Sequence, residues 1–319
     1  MQRTCSRASA SFALTAAAVI WLGSVANAEP ERPPPFVGTD IQQDEILEVI
    51  SSAESRSFKP VGHSSVVLRM RTVARVTAAL RIRSHEIQHG YRYEIAAYRI
   101  SRLLGLDNVP PAVYRRATWK EINQRFHEDM LERRGSIRRA VWWDDDGSAP
   151  GAAVYWVKGL RSVGLENKAR WQSWLRDGDI PRGKGALARD LSTMTVFDLL
   201  IGNWDRFSGG NLPTDRDRQR AFLRDNDRAF STPLLKGRYE KLLGALTGIK
   251  RFSNDLVLHL AALDEESIRK ELARDPIQRL TPLLSDAQIA ELLDRRDAIL
   301  SYIAALIEEH GEADVLFFP

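Results

Sequence analysis

Three side chains within residues 197–230 have the types and spacing for chemistry on a phosphate group. Asp205 stands four residues beyond an apolar run ending at Ile201, in Gly202-Asn203-Trp204-Asp205-Arg206, where a loop held by a helix would present its carboxylate. Such an acid accepts the proton of an attacking hydroxyl when it sits within hydrogen-bond reach. Asp225 follows Phe222-Leu223, so a short buried strand would deliver it to a polar turn. A carboxylate there suits a hard divalent cation, which takes carboxylate and phosphate oxygens. Asn211, six residues after Asp205 and preceded by Gly209-Gly210, offers an amide oxygen to the same or a second cation. Each segment alone is also ordinary turn composition: Gly-Asn-x-Asp closes helices, Asp-Asn-Asp turns the chain after a strand, and Gly-Gly hinges a loop tip. In this order, with the two acids 20 positions apart, their types suit a phosphoryl-transfer site.

The surrounding pattern predicts the elements that would position them. Residues 187–201 carry Leu191, Met194, Phe197, Leu200 and Ile201 on a broad apolar face, a helix ended by Gly202-Asn203. Ala221-Phe222-Leu223 reads as the short buried strand before Asp225. Upstream, residues 64–71 and 76–83 read as two strands of a hairpin. Residues 93–104 form a helical stripe of Ile95, Ala96, Ile100, Leu103 and Leu104, capped by Gly105. Val109-Pro110-Pro111-Ala112-Val113 leaves that helix extended, because the residue before a proline avoids the helical region. Residues 138–143 and 151–157 read as further strands around the acidic loop Asp144-Asp145-Asp146-Gly147, which itself reads as a solvated turn. A short helix is expected over 46–52, and Ser285 with Gln288 forms a capping box for a long helix over 286–309, ended by Gly311. The order gives an α+β protein, with a small β-rich lobe containing one helix (46–159) followed by a larger helical lobe (160–319).

Composition narrows the classes further. The 319 residues, 44% hydrophobic, can fill a sizeable core. Arg3 and Arg7, the apolar run 12–25 and Ala26-Asn27-Ala28 have the pattern of a signal peptide over 1–28, implying export to a periplasm or the exterior; an uncleaved anchor is the rival reading. Cleavage would remove the single cysteine, Cys5, leaving a chain without disulfides, and would leave 44 of the 46 basic residues against 42 acidic ones. That near balance, spread along the chain, excludes a nucleic-acid partner, and no later stretch reaches the roughly 20 apolar residues of a membrane span. Residues 29–45, rich in proline, read as a flexible tether. Neither a Walker loop nor a Gly-x-Ser-x-Gly elbow occurs, and the six histidines lack zinc-hydrolase spacing; His85 and His89 are four apart without the associated glutamate motif.

Gly202-Asn203-Trp204-Asp205-Arg206 and Asp225-Asn226-Asp227-Arg228-Ala229-Phe230 resemble the paired motifs of the secretory-pathway kinases, the family of the Golgi casein kinase, the four-jointed kinase and the proteoglycan xylose kinase. There a Gly-Asn-x-Asp-Arg catalytic loop precedes a metal-binding Asp-Asn-Gly-Arg-x-Phe. Glu94-Ile95-Ala96-Ala97-Tyr98, through Leu103-Leu104 to Val109-Pro110-Pro111, resembles the family's Ala-Glu-Ile-Ala-Ala-x helix and Val-Pro-Pro exit. More distantly the pattern is similar to HipA-like and phosphoinositide kinases. The resemblance implies a two-lobed protein-kinase-like fold in a divergent, bacterial-type member. It implies Asp205 as the base-like acid, Asp225 as a metal ligand helped by Asn211 or Glu94, and Glu94 as a metal or lysine partner. It also implies Tyr155-Trp156-Val157 as backbone partners of an adenine. ATP would be the phosphate donor, Mg2+ or Mn2+ the cation, and a protein or glycan hydroxyl the acceptor.

The chain departs from the family pattern in several places. Arg81, in Ala78-Ala79-Leu80-Arg81-Ile82, stands where a lysine should reach the phosphates; Lys59, 35 residues before Glu94, is the rival cation. Asp227 replaces glycine, Phe207 replaces a histidine, and the family's disulfides are missing. These departures keep a pseudokinase, binding a nucleotide or partner without turnover, as the alternative reading.

Overall fold

Alternating burial builds the sheet. In β3 (Thr77–Ile82), Ala78, Leu80 and Ile82 are buried, while Ala79 and Arg81 look out from the other face. β3 pairs with β2 (Val67–Thr72), setting Arg81 opposite Val67, and with β5 (Ser148–Tyr155), setting Arg81 opposite Ala152. With β1 (Ser55–Val61) and β4 (Ala112–Thr118) at the edges, the strands form one antiparallel sheet in the order β1-β2-β3-β5-β4. This computed structural model describes residues 36–37, 39–62 and 66–319. The expected signal peptide and the first part of the tether lie outside the described residues.

Two helices cover the sheet: α1 (Gln43–Ser52) packs on β4 and β5, and α2 (Gly90–Leu103) packs on β3, β4 and β5. Short helices α3 (Trp119–Gln124) and α4 (Arg134–Ala140) complete this half. The rest is helical: α5 (Gln172–Arg176), α6 (Gly185–Ile201), α7 (Lys236–Leu246), α8 (Asn254–Ala262), α9 (Glu265–Leu272), α10 (Asp286–His310) and α11 (Glu312–Val315). Together they make a two-lobed α+β fold. Helix α6 is buried nearly all round, packs against α7 and α10, and closes on Gly202 in the left-handed conformation (φ 68°), as a helix needs when the chain must turn at once into a loop. Helix α10 opens on the expected reciprocal Ser285–Gln288 capping box. Among the described residues no helix is long and apolar enough to cross a membrane.

Three local expectations are corrected, and one strand escapes the sequence reading. Residues 138–143 are not a strand: Arg138 to Ala140 lie in α4, and only Val141 makes an isolated bridge, to Ser84. The buried Ile137 and Val141 are four apart, a helical spacing. Ala221-Phe222-Leu223 is buried but joins no sheet; Ala221 bridges Thr214, and the Phe222 and Leu223 amides donate singly to Pro213 and Asn108. β1 carries Arg56, Lys59 and Pro60, a polar reading that hid it, and an edge strand tolerates such residues. The end of the tether is docked: Phe36 is buried against Tyr155 and Phe222, the Val37 amide donates to Asp107, and α1 already begins at Gln43.

Candidate active site

The period of β3 sends Arg81 into a cleft of about 530 Å³, where its guanidinium meets three carboxylates. Its Nε lies 2.9 Å from Glu94 Oε1, one terminal nitrogen lies 2.9 Å from Asp227 Oδ2, and the other closes on Asp225 Oδ1. Glu94, in the second turn of α2, is buried and also accepts the Asn226 amide at 3.0 Å. Burial pushes its carboxyl up from the ordinary glutamate value, with Asp227 adding and the Arg81 charge opposing. Asp227 packs so closely on the start of α2 that a Cβ at Gly90 would lie 3.0 Å from its own Cβ and 2.6 Å from Ile87. The two departures at 81 and 227 are therefore one arrangement: the arginine fork has an extra donor, and Asp227 accepts it.

Asp225 adopts a left-handed backbone (φ 60°), which aspartate tolerates better than most side chains, and its carboxylate is partly open to solvent. The Asn203 side chain donates to the Asp225 carbonyl at 3.4 Å and, through its oxygen, accepts the Asp205 amide at 3.3 Å, so one residue ties the two acidic loops. Asp205 is further held by Ser208, whose hydroxyl donates to Oδ1, and by Asn211, whose amide nitrogen is 3.1 Å from its carbonyl and 3.4 Å from Oδ2.

Behind both loops lies Arg206, with no solvent exposure. Its nitrogens reach Asp198 of α6 at 3.0–3.2 Å, the Asn211 carbonyl at 3.1 Å, Asn226 Oδ1 at 2.6 Å, and the Arg224 carbonyl. Burial pushes the Asp198 carboxyl up and the Arg206 charge opposes it. The sequence reading assigns no role to Arg206, Asn203 or Asp227, although a charged residue inside a loop motif, as at 206 and 227, is an available signal.

Asp205, Asn211, Asp225, Glu94, Arg81, Tyr155, Trp156 and Val157 all line the one cleft. Lys59 does not. It lies on β1 and pairs with Asp129 at 3.1 Å. The Tyr155 and Trp156 amides are committed to Pro111 and Thr77 carbonyls at 2.8 and 2.9 Å, which takes their N–H groups out of reach of a base. In the acidic loop, Asp144 pairs with Arg83 and Arg116, and Asp146 accepts the Ser148 amide and hydroxyl, a structural turn. His85 stacks on Trp142 and His89 lies near Tyr93.

Among the described residues no group of three or more histidine, cysteine, aspartate or glutamate side chains is placed to hold a metal ion. Magnesium-type cations need none, since one or two protein oxygens with phosphate and water oxygens complete their shell. Asp225 and the Asn211 amide oxygen fit that donor set. Asp225 and Glu94 each give one oxygen to Arg81, but Asp225 is partly open to the cleft, whereas Glu94 is buried and also accepts the Asn226 amide.

The fold is that of known kinases. The chain is similar to the Golgi casein kinase with Mn/ADP bound (15% identity over 86% of this chain and 78% of that one, TM-score 0.61) and to a second structure of the Golgi casein kinase (17%, 87% and 80%, 0.60). It is also similar to hydra Fam20 with sugar (18%, 88% and 93%, 0.66). At these identities the likeness establishes the two-lobed, Fam20-like kinase fold. No protein-family model and no curated protein matches the chain.

Proposed function

We propose that this chain is an exported phosphotransferase that moves the γ-phosphate of ATP to a hydroxyl of a protein or glycan. The observation that carries the reading is the convergence of Asp205, Asn211, Asp225, Glu94 and Arg81 on a single cleft large enough for a nucleotide. Asp205, held by Ser208 and Asn211, orients the acceptor hydroxyl and takes its proton. Asp225 and Asn211 hold Mg2+ or Mn2+, which when bound neutralises phosphate charge. Arg81 stays on Glu94 and turns a donor to the phosphates. The apolar end of the cleft, with Ala79, Val154 and Tyr155, takes the base, and the adenine contact from backbone falls to Val157. Such a site accelerates by positioning and fixed charge, without covalent participation. The ligands of the similar structures, Mn/ADP and a sugar, support the choice of donor, cation and acceptor class.

The test incubates the purified chain with labelled ATP, Mn2+ and protein or glycan acceptors, beside Asp205→Ala and Asp225→Ala. Transfer by the wild type that is lost in both variants supports the proposal. Metal-dependent ATP binding with no transfer to any acceptor overturns catalysis and leaves a binding module.

A further inference from the structure

The helix carrying Glu94 is gripped from its other side by the C-terminal half of the chain. Arg99, five residues after Glu94 and so on a different face of α2, is buried and reaches Glu271 Oε1 of α9 at 3.4 Å and Asp275 Oδ2 at 3.7 Å. Arg102, one turn on, reaches the same Glu271 oxygen at 3.4 Å and Asp44 of α1 at 2.9 Å. Arg274 lies 3.0 Å from the other Glu271 oxygen. Asp275 has no exposure and accepts the Tyr114 amide of β4 at 3.2 Å and the Ile277 amide at 3.1 Å. At its other end α2 is held as well: Arg92 donates to the Leu283 carbonyl at 3.3 Å, and the Gln288 amide at the start of α10 lies 3.2 Å from the Tyr93 hydroxyl.

Buried charges are a costly way to join two helices, and apolar side chains of like volume hold as well or better. What the network supplies instead is one defined position, because the Arg99–Glu271 hydrogen bond and the two backbone amides on Asp275 are directional, with the Arg99–Asp275 and Arg102–Glu271 ion pairs beside them. That position matters here, since a small slide of α2 would lift Glu94 off Arg81. We infer that Arg99, Glu271 and Asp275 are positioning residues: they lock α2 from behind, and so hold Glu94 on Arg81 at the cleft. The kinetic consequence rests on the proposed phosphotransfer; the structural consequence does not.

The test uses Glu271→Gln, Glu94→Gln and the double variant in the full chain, read by hydrogen exchange and by kinetics. In Glu271→Gln, amides of α2 exchange about tenfold faster while those of α10 are unchanged, and kcat falls about tenfold with KM for the acceptor unaltered. In the Glu94→Gln background the Glu271 substitution costs no further rate, because its effect passes through Glu94. Arg99→Lys keeps the charge, loses the fork, and carries the same readouts if Glu271→Gln fails to fold. Unchanged exchange in α2, or losses that simply add in the double variant, overturn the inference. If the wild type transfers no phosphate, the proposed activity fails, and the exchange experiment alone still decides whether the lock exists.

Discussion

Two arginines organise the region around the cleft, and they do it in opposite ways. Arg206 is sealed, facing one carboxylate, two carbonyls and one amide oxygen, so its charge is answered and its donors are used up. Arg81 is partly open and faces three carboxylates, one of which, Asp225, remains exposed to the cleft. The first cluster is closed and close to neutral, and holds two loops together. The second leaves a carboxylate, Asp225, beside an open space with Arg81 and, at 3.8 Å, Arg224 as its cations, the condition under which a divalent cation gains most from arriving and brings a polyphosphate with it. Both are arginine-centred ion clusters of similar reach, and charge balance with access separates scaffold from site.

The sharpest break of that comparison is Asp225→Asn, whose side chain also tolerates the left-handed backbone at this position. On the open cluster it lowers phosphate transfer by about 10³–10⁴-fold, while the unfolding free energy read from urea curves changes by less than about 1 kcal/mol, because the group is partly exposed. A large stability loss instead would place Asp225 with the scaffold. Next comes Arg206→Met, which strands Asp198 in the interior and lowers unfolding free energy by about 3–5 kcal/mol. Denaturation in the presence and absence of Mn2+ and ADP measures it, and ligand should raise wild type and variant by the same increment, leaving the gap between them open.

Between the extremes lies Arg220, shared by Asp190 of α6 at 2.8 Å and Asp107 at 2.6 Å. Burial outweighs these contacts and pushes the Asp190 carboxyl up from 3.8 to about 6, while the two carboxylates push the Arg220 guanidinium up. The folded state thus binds the Asp190 proton more tightly than the unfolded one. Its favourable contribution is complete below about pH 4 and disappears as pH rises through about 6. Wild type should gain on Asp190→Asn by up to about 3 kcal/mol as pH falls from 7 to 4, read from paired denaturation curves. A difference that shrinks over this interval would mean the ion pair prevails over burial.

The smallest effect sharpens the open side. Arg81→Lys keeps one charge and loses the fork, and lowers transfer by about tenfold with little change in stability. Adding Asp227→Gly, which removes the carboxylate that only the fork needed, should recover part of that loss. Losses that merely add would mean the residues at 81 and 227 are not one arrangement.

Much of the fold was legible because its signals are local. The capping box at Ser285 and Gln288, the glycine stop at Gly202, and the apolar stripe of α2 each need only residues a turn apart. The expected strand over 138–143 failed because two apolar residues four apart fit a short helix, and β1 was hidden because an edge strand need not look apolar. At the site, Asp205, Asn211, Asp225 and Arg81 were legible as residue types in order. The engagement of Lys59 by Asp129, and of the Tyr155 and Trp156 amides by neighbouring backbone, was not, since each partner comes from another segment.

What the linear chain determined by itself was the inventory and the spacing: which acids stand after apolar runs, where helices stop, and which period each segment follows. These depend on interactions within a few residues. What only the tertiary structure decided was pairing at a distance. Arg81 meets Asp225 and Asp227 at sequence separations of 144 and 146 residues, and Arg99 meets Glu271 at 172. A charge does not carry its partner's address in the sequence, because burial and register choose among many carboxylates only once the helices and the sheet have packed.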